Sequence, residues 1–160
     1  MTISKGDKIP AVDVMLATND GPEQVSTTEL LGSGKIALFS LPGAFTPTCS
    51  AKHLPGFVEK ASALKAKGVD KIVCMSVNDA FVMDAWAKDQ NVNGAVEMLA
   101  DGNGDFARAL GLTMDGKGFG MGERAQRFSA IIDNGVVAEL NVEAPGAFEV
   151  SSVEHMLGQL

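Results

Sequence analysis

Cysteine is scarce in this sequence, with two among 160 residues, at positions 49 and 74. Two are too few for the disulfide framework of a small secreted domain, and in a reducing compartment both stay thiols, so each has to be judged by its surroundings. Basic side chains are also short, 13 against 20 acidic ones, which leaves a formal charge of -7 and a pI near 4.7. Such a surface repels nucleic acid phosphates and anionic membranes, so neither is an expected partner. No stretch approaches the roughly 18 uninterrupted apolar residues of a membrane span. Met1 to Pro10, with Lys5, Asp7 and Lys8, has no apolar run that could serve as a signal-peptide core. A cytoplasmic protein is expected. Low-complexity tracts, charge blocks and repeats are missing too, and the longest turn-rich stretch, Asp115 to Gly122, is too short to separate one domain from another. One domain over residues 1–160 follows, and 46% hydrophobic residues suffice for its core.

What the chain does contain is an alternation of short apolar runs and helical periodicities. After an N-terminal extended pair turning at Asn19-Asp20-Gly21-Pro22, Lys35 to Leu41 reads as a buried strand between Gly34 and Pro42-Gly43. From Pro47 to Lys67, Leu54, Phe57, Val58, Ala61 and Leu64 recur at helical spacing, closed by Gly68. Lys71 to Val77 is a second buried strand, followed by a cap at Asn78-Asp79 and a helix carrying Phe81, Val82, Ala85 and Trp86. Val96 to Ala100 and Asp105 to Leu110 repeat the strand–helix cycle. Phe128 to Ile132 and Val136 to Asn141 flank Asp133-Asn134-Gly135, a hairpin signal, and Ser151 to Glu154 opens a last helix. Parallel β-α-β units followed by an antiparallel hairpin and a helix predict an α/β protein of thioredoxin-like fold, a central mixed sheet with helices on both faces.

Cys49 lies where the first long strand hands over to its helix, with Thr46 suited to the cap and Pro47 to the first helical position. Unpaired backbone N–H groups and the positive end of a helix dipole favour a thiolate there. Ionisation alone has a ceiling: a thiol of ordinary pKa, about 8.5, is a few per cent ionised at neutral pH, so full ionisation gains roughly thirtyfold. Donors fixed around the negative charge that a thiolate pushes onto its leaving atom can contribute about a hundredfold or more each. The Thr46 hydroxyl is one candidate donor. Arg124, in Gly122-Glu123-Arg124-Ala125-Gln126-Arg127-Phe128, is the other, able to hold both the sulfur and the oxygen under attack.

These residues resemble the peroxiredoxins, specifically the type II, or peroxiredoxin-5-like, branch. The resemblance runs through Pro42-Gly43-Ala44-Phe45-Thr46-Pro47-Thr48-Cys49-Ser50, Lys52 to Phe57, Ser76-Val77-Asn78-Asp79, Asp101-Gly102-Asn103-Gly104 and Arg124 to Ser129, nearly the whole chain. It implies a thiol-dependent peroxidase acting on hydrogen peroxide and organic hydroperoxides. In that reading Pro42 shields the site, Thr46 bonds the peroxide, Arg124 orients sulfur and peroxide, and Cys49 attacks, becoming a sulfenic acid. No cofactor and no metal is implied. Taken singly from the residues, Pro42 is more often a strand-ending proline, and Thr46 and Pro47 read as a plain helix start, Cys49 as a small core residue and Arg124 as a surface charge; it is their combination that favours the peroxidase reading.

Cys74 sits mid-strand, where cysteine usually serves as a compact hydrophobe. In some type II relatives a cysteine in the matching strand is discussed as a resolving partner for the sulfenic acid. Cys74 precedes the strand end at Val77 by about 10 Å at strand rise, however, and a disulfide needs Cα atoms within roughly 7 Å, so the two sulfurs meet only after local unfolding. Pro55, lacking the N–H that would bond the Ala51 carbonyl, predicts a kinked and weakened helix one turn past Cys49. Ala144 to Leu160 holds no late cysteine. Glutathione or glutaredoxin, or else thioredoxin, is therefore the expected reductant, with Cys74 dispensable.

Other patterns compete. Asp101 to Asp105 begins like a calcium loop but lacks its later glycine and glutamate, and reads as a turn with a helix cap. The glycines at 116, 118, 120 and 122 lack the Lys-Ser/Thr of a phosphate loop and read as the turn presenting Arg124. Cys49 and His53, four apart, suggest a thiol–imidazole dyad and hence a cysteine hydrolase. A redox-sensing adaptor or holdase without efficient turnover is the other alternative. Phe45, Phe81 and Phe119 fall at expected turns; either they form a patch for the homodimer common in the family, or each ring packs into its own core.

Overall fold

A computed structural model describes residues 2–160. Its seven-stranded sheet takes the order β2-β1-β5-β4-β3-β8-β9. The three central strands, β3 (Lys35–Ser40), β4 (Lys71–Ser76) and β5 (Glu97–Ala100), run parallel. They are flanked by two antiparallel pairs, β1 (Asp13–Thr18) with β2 (Gly21–Ser26) and β8 (Phe128–Asp133) with β9 (Val136–Val142). This is the expected mixed sheet, and Pro22, which cannot donate to a ladder, sits on the edge strand.

Near-continuous burial along β3 and β4 is the signature of strands covered on both faces. Side-chain alternation divides them between two cores. Ala37, Phe39, Ile72 and Cys74 face the core built with Leu54, Phe57, Met83, Trp86 and Met156. Ile36, Leu38, Val73 and Met75 face the core containing Leu30, Leu31, Phe106 and Leu110. The first core is closed by α2 (Leu54–Glu59), α3 (Ala61–Ala66), α4 (Ala80–Asp89) and α6 (Val153–Leu157), the second by α1 (Thr27–Leu31) and α5 (Asp105–Leu110). Helices on both faces are thus a direct consequence of the strand pattern.

Local signals act where expected. Asn134 and Gly135 both take positive φ, 48° and 82°, the geometry of the tight turn that matches strand twist. Asp79 caps α4 by accepting from the Val82 N–H at 2.8 Å. Asp101 is a cap as well: its buried carboxylate accepts from the N–H groups of Phe106 and Ala107 at 3.0 and 2.8 Å.

Two regions differ from expectation. The long helix past Cys49 is subdivided. Pro47 and Thr48 begin it, Cys49–His53 form a π-helical turn in which the Leu54 N–H reaches back to the Cys49 carbonyl, and α2 and α3 follow. Because Pro55 has no N–H for the Ala51 carbonyl, a wider turn absorbs the mismatch, and the break falls on the Cys49 segment itself. The glycine-rich stretch is also more ordered than a plain turn. β6 (Thr113–Asp115) and β7 (Glu123–Ala125) pair into a two-stranded ribbon whose loop contains a single 3₁₀ turn at Lys117–Phe119. Gly116 and Gly122 meet in that loop through a 2.6 Å backbone hydrogen bond, and a Cβ on Gly116 would stand 2.9 Å from the Gly122 carbonyl. No helix among the described residues is long and apolar enough to cross a membrane.

Candidate active site

The parallel strands β3 and β4 end side by side, and the chain leaving β3 forms the loop Pro42–Thr46. Phe45 has φ of 63°, uncommon for a residue with a side chain. The conformation is held from just past the end of β4: the Asn78 Oδ1 accepts from the Ala44 N–H at 2.9 Å and from the Ser76 hydroxyl at 2.6 Å. The Thr46 hydroxyl donates to the Gly43 carbonyl at 2.7 Å rather than capping the helix. With its proton committed, Thr46 offers lone pairs to an incoming O–H.

Cys49 follows, 1% exposed, as a free thiol. Its neighbours Thr48 and Arg127 line a cavity of about 590 Å³ together with Pro42, Phe119, Glu143 and Pro145. The sulfur accepts a hydrogen bond from Arg127 Nη2 at 3.1 Å. This corrects the expectation for Arg124, whose Nε and Nη1 donate to the Met121 and Val77 carbonyls, each at 2.8 Å. Arg124 ties the glycine loop to the end of β4 and packs beside Gly43. Strand register is the reason. β8 pairs with β3 so that Phe128 lies opposite Ser40, and Arg127, one residue earlier, stands level with the entrance to the Cys49 loop. The Ser40 hydroxyl fixes the same corner by donating to the Gln126 carbonyl at 2.8 Å.

Arg127 Nη1 donates to His53 Nδ1 at 2.8 Å, and His53 Nε2 lies 2.9 Å from the Ser151 carbonyl. Arginine only donates and a carbonyl only accepts, so the ring must be neutral with its hydrogen on Nε2. Burial, and secondarily the positive charge of Arg127, push His53 down from 6.5 to about 3. Both nitrogens are occupied by groups other than the thiol, which excludes His53 as the base of a thiol–imidazole dyad in this arrangement. The sequence singles out His53 only as a direct partner of Cys49 and Asn78 only as a cap, not in the roles they hold here, and it does not separate Arg127 from Arg124. Only the pairing of β8 with β3 singles out the second arginine of Gly122–Phe128.

Cys74 is a free thiol wholly buried in the same core as Cys49, opposite Phe39 in the ladder. Burial, with a further contribution from Cys49, pushes its thiol well above the ordinary range, so it stays protonated and weakly nucleophilic. Phe45, Phe81 and Phe119 are 52%, 72% and 84% exposed, against packing into the chain's own core.

A thioredoxin-like sheet presenting a buried, arginine-bonded thiol at the start of a helix defines a thiol-based redox enzyme. Residues 4–157 match the Redoxin family. The chain is 48% identical to Peroxiredoxin-2E, chloroplastic, of Arabidopsis thaliana over 163 residues, covering 99% of this chain and 70% of the relative. The reduced Prx3 of Vibrio vulnificus, solved in complex with H2O2, superposes with a TM-score of 0.95 at 51% identity over 99% of each chain. The Plasmodium falciparum antioxidant protein, a 1-Cys peroxiredoxin, gives 0.88 at 32% identity over 96% of each. The chain belongs to the redoxin family and, within it, to the type II, peroxiredoxin-5-like peroxiredoxins. It is a thiol-dependent peroxidase.

The neutral His53 carries a linkage consequence. Between about 3 and 6.5 the unfolded chain binds a proton at this ring that the native chain does not, so the contribution is fully present above 6.5 and is lost as pH falls toward 3. Urea unfolding at stepped pH should show wild-type stability falling more steeply than that of His53→Asn, by up to about 1.4 kcal/mol per pH unit in this window. Parallel curves would contradict the neutral, buried assignment.

Proposed function

We propose that Cys49 reduces hydrogen peroxide and organic hydroperoxides by direct attack, with Arg127 in the role expected of Arg124. The single observation that carries this reading is the 3.1 Å hydrogen bond from Arg127 to the Cys49 sulfur. The thiolate attacks the terminal peroxide oxygen, an S–O bond forms as the O–O bond breaks, and the departing oxygen leaves as water or alcohol after taking a proton. Cys49 becomes a sulfenic acid. Arg127, keeping its full charge, stabilises the sulfur before attack and the oxygen during it. Thr46 accepts the hydrogen of the peroxide O–H and so sets which oxygen faces the sulfur. Pro42, on the cavity wall beside Thr48 and Arg127, keeps bulk water from the sulfur.

Regeneration falls to an external thiol. Glutathione or glutaredoxin attacks the sulfenic sulfur, expelling water, and a second thiol releases Cys49; thioredoxin is the other candidate. The protonated, buried state of Cys74 supports this reading, as does the likeness to a protein described as 1-Cys. The exposed Phe45, Phe81 and Phe119 support a homodimer through these loops. The enzyme acts as one domain over residues 1–160, in the cytoplasm, where two thiols persist reduced.

Stopped-flow oxidation of Cys49 by hydrogen peroxide separates the two arginines. Arg127→Gln should slow the reaction by about a hundred- to a thousandfold and Arg124→Gln by much less. The reverse ranking would return the role to Arg124, and an unreactive wild type would favour the adaptor reading. Steady-state turnover with glutathione and glutaredoxin should persist in Cys74→Ser; its loss in a folded variant would make Cys74 a resolving residue.

A further inference from the structure

One set of buried polar groups takes no part in the attack itself: His53, Ser151 and Glu143, at 1%, 0% and 8% exposure. They form a closed ring with Arg127. The guanidinium donates to His53, and His53 faces the Ser151 carbonyl. Ser151 is anchored in turn by Glu143, whose Oε2 accepts from the Ser151 N–H at 2.8 Å, the Ser151 hydroxyl at 2.6 Å and the Glu149 N–H at 2.7 Å. The Glu143 N–H closes the ring by donating to the Arg127 carbonyl at 3.0 Å. The Phe148 ring covers it, 5.1 Å edge-on from His53 and 5.8 Å from the guanidinium carbon.

We propose that His53 is a positioning residue for the peroxidase reaction, fixing the Arg127 guanidinium against the Cys49 sulfur from a mount supplied by Ser151 and Glu143. The inference rests on the peroxidase reading above. An arginine with a single anchor rotates about its last bonds. With Nη2 on the sulfur and Nη1 on His53, its plane is held at both ends. The choice of acceptor matters as much as the anchor. A carboxylate at this position would pair with the guanidinium and compete with the thiolate for its charge. A neutral imidazole nitrogen orients the arginine and leaves that charge for sulfur and peroxide. The carboxylate that does serve the ring, Glu143, is kept from the guanidinium by Ser151 and His53, and its charge is taken up by three donors.

The test compares two substitutions with the wild type. His53→Leu removes both contacts, whereas His53→Asn restores a neutral acceptor near the Nδ1 position. Rapid-quench measurement of Cys49 oxidation by hydrogen peroxide should show a loss of about ten- to a hundredfold in His53→Leu. His53→Asn should lie closer to the wild type than to His53→Leu. A wild-type rate in His53→Leu, or an Asn variant no faster than Leu, would overturn the proposal. Nitrogen NMR of the intact wild type at pH 7 gives a reading that needs no variant: Nε2–H, Nδ1-acceptor imidazole is expected, and either the other tautomer or imidazolium would overturn the proposal. If wild-type Cys49 itself failed to oxidise rapidly, the peroxidase reading would fall and the proposal with it, while the NMR result would still report whether the ring geometry exists.

Discussion

The hydrogen bond from Arg127 to the Cys49 sulfur is the contact around which the molecule is arranged. It joins two segments 78 residues apart in sequence. β3 delivers the loop that ends in Cys49, and β8, paired antiparallel to β3, delivers Arg127 to the same edge. The chain leaving the parallel β4 supplies Asn78, which holds the strained loop, and Val77, which anchors Arg124. A buried thiol with an arginine at hydrogen-bond distance meets a requirement that ionisation alone does not. The gain from a fully formed thiolate has a ceiling of roughly thirtyfold, whereas a fixed donor at the developing oxyanion contributes about a hundredfold or more.

The same geometry separates the two cysteines, although both belong to one core. Cys49 has a charged donor and an adjacent cavity, and Cys74 has neither. Two identical side chains are therefore given different environments, one sulfur bonded to a guanidinium and the other enclosed by apolar neighbours. The π-helical turn at Cys49–His53 adds a second distinction. Its widened backbone follows from Pro55 and places a weak point in the helix at Cys49, while Trp86 steadies it through a 3.0 Å hydrogen bond to the Ser50 hydroxyl.

Elements defined by local patterns are legible in the sequence. β3 and β4 announce themselves as apolar runs between turn residues, Asp79 and Asp101 as caps, and Asn134-Gly135 as a hairpin turn. Cys49 stands out as a candidate because strand, turn and helix start are contiguous there, whereas Pro42 and Thr46 take their expected site roles from the family resemblance, and the cap expected at Thr46 is replaced by a bond to the Gly43 carbonyl. Arg127 is not, since the choice between it and Arg124 is made by the register of β8 against β3, a long-range pairing that spacing within Gly122–Phe128 does not encode. His53 misleads for a related reason. Four residues from Cys49, it suggests a direct partner, but its two nitrogens answer to Arg127 and Ser151, which arrive from distant segments of the chain. The β6–β7 ribbon leaves no signal because three-residue strands are too short to show alternation. Pro55 predicts a kink, and the displacement of that kink onto Cys49–His53 depends on how the surrounding core fixes both ends of the helix.

Everything in this arrangement turns on one sulfur, Cys49, meeting the peroxide. Exposure of the reduced protein to one equivalent of hydrogen peroxide in the presence of a sulfenic-acid trap, followed by peptide mass spectrometry, addresses this directly. The adduct is predicted on Cys49 alone, with Cys74 unmodified; an adduct on Cys74, or none on Cys49, would contradict it.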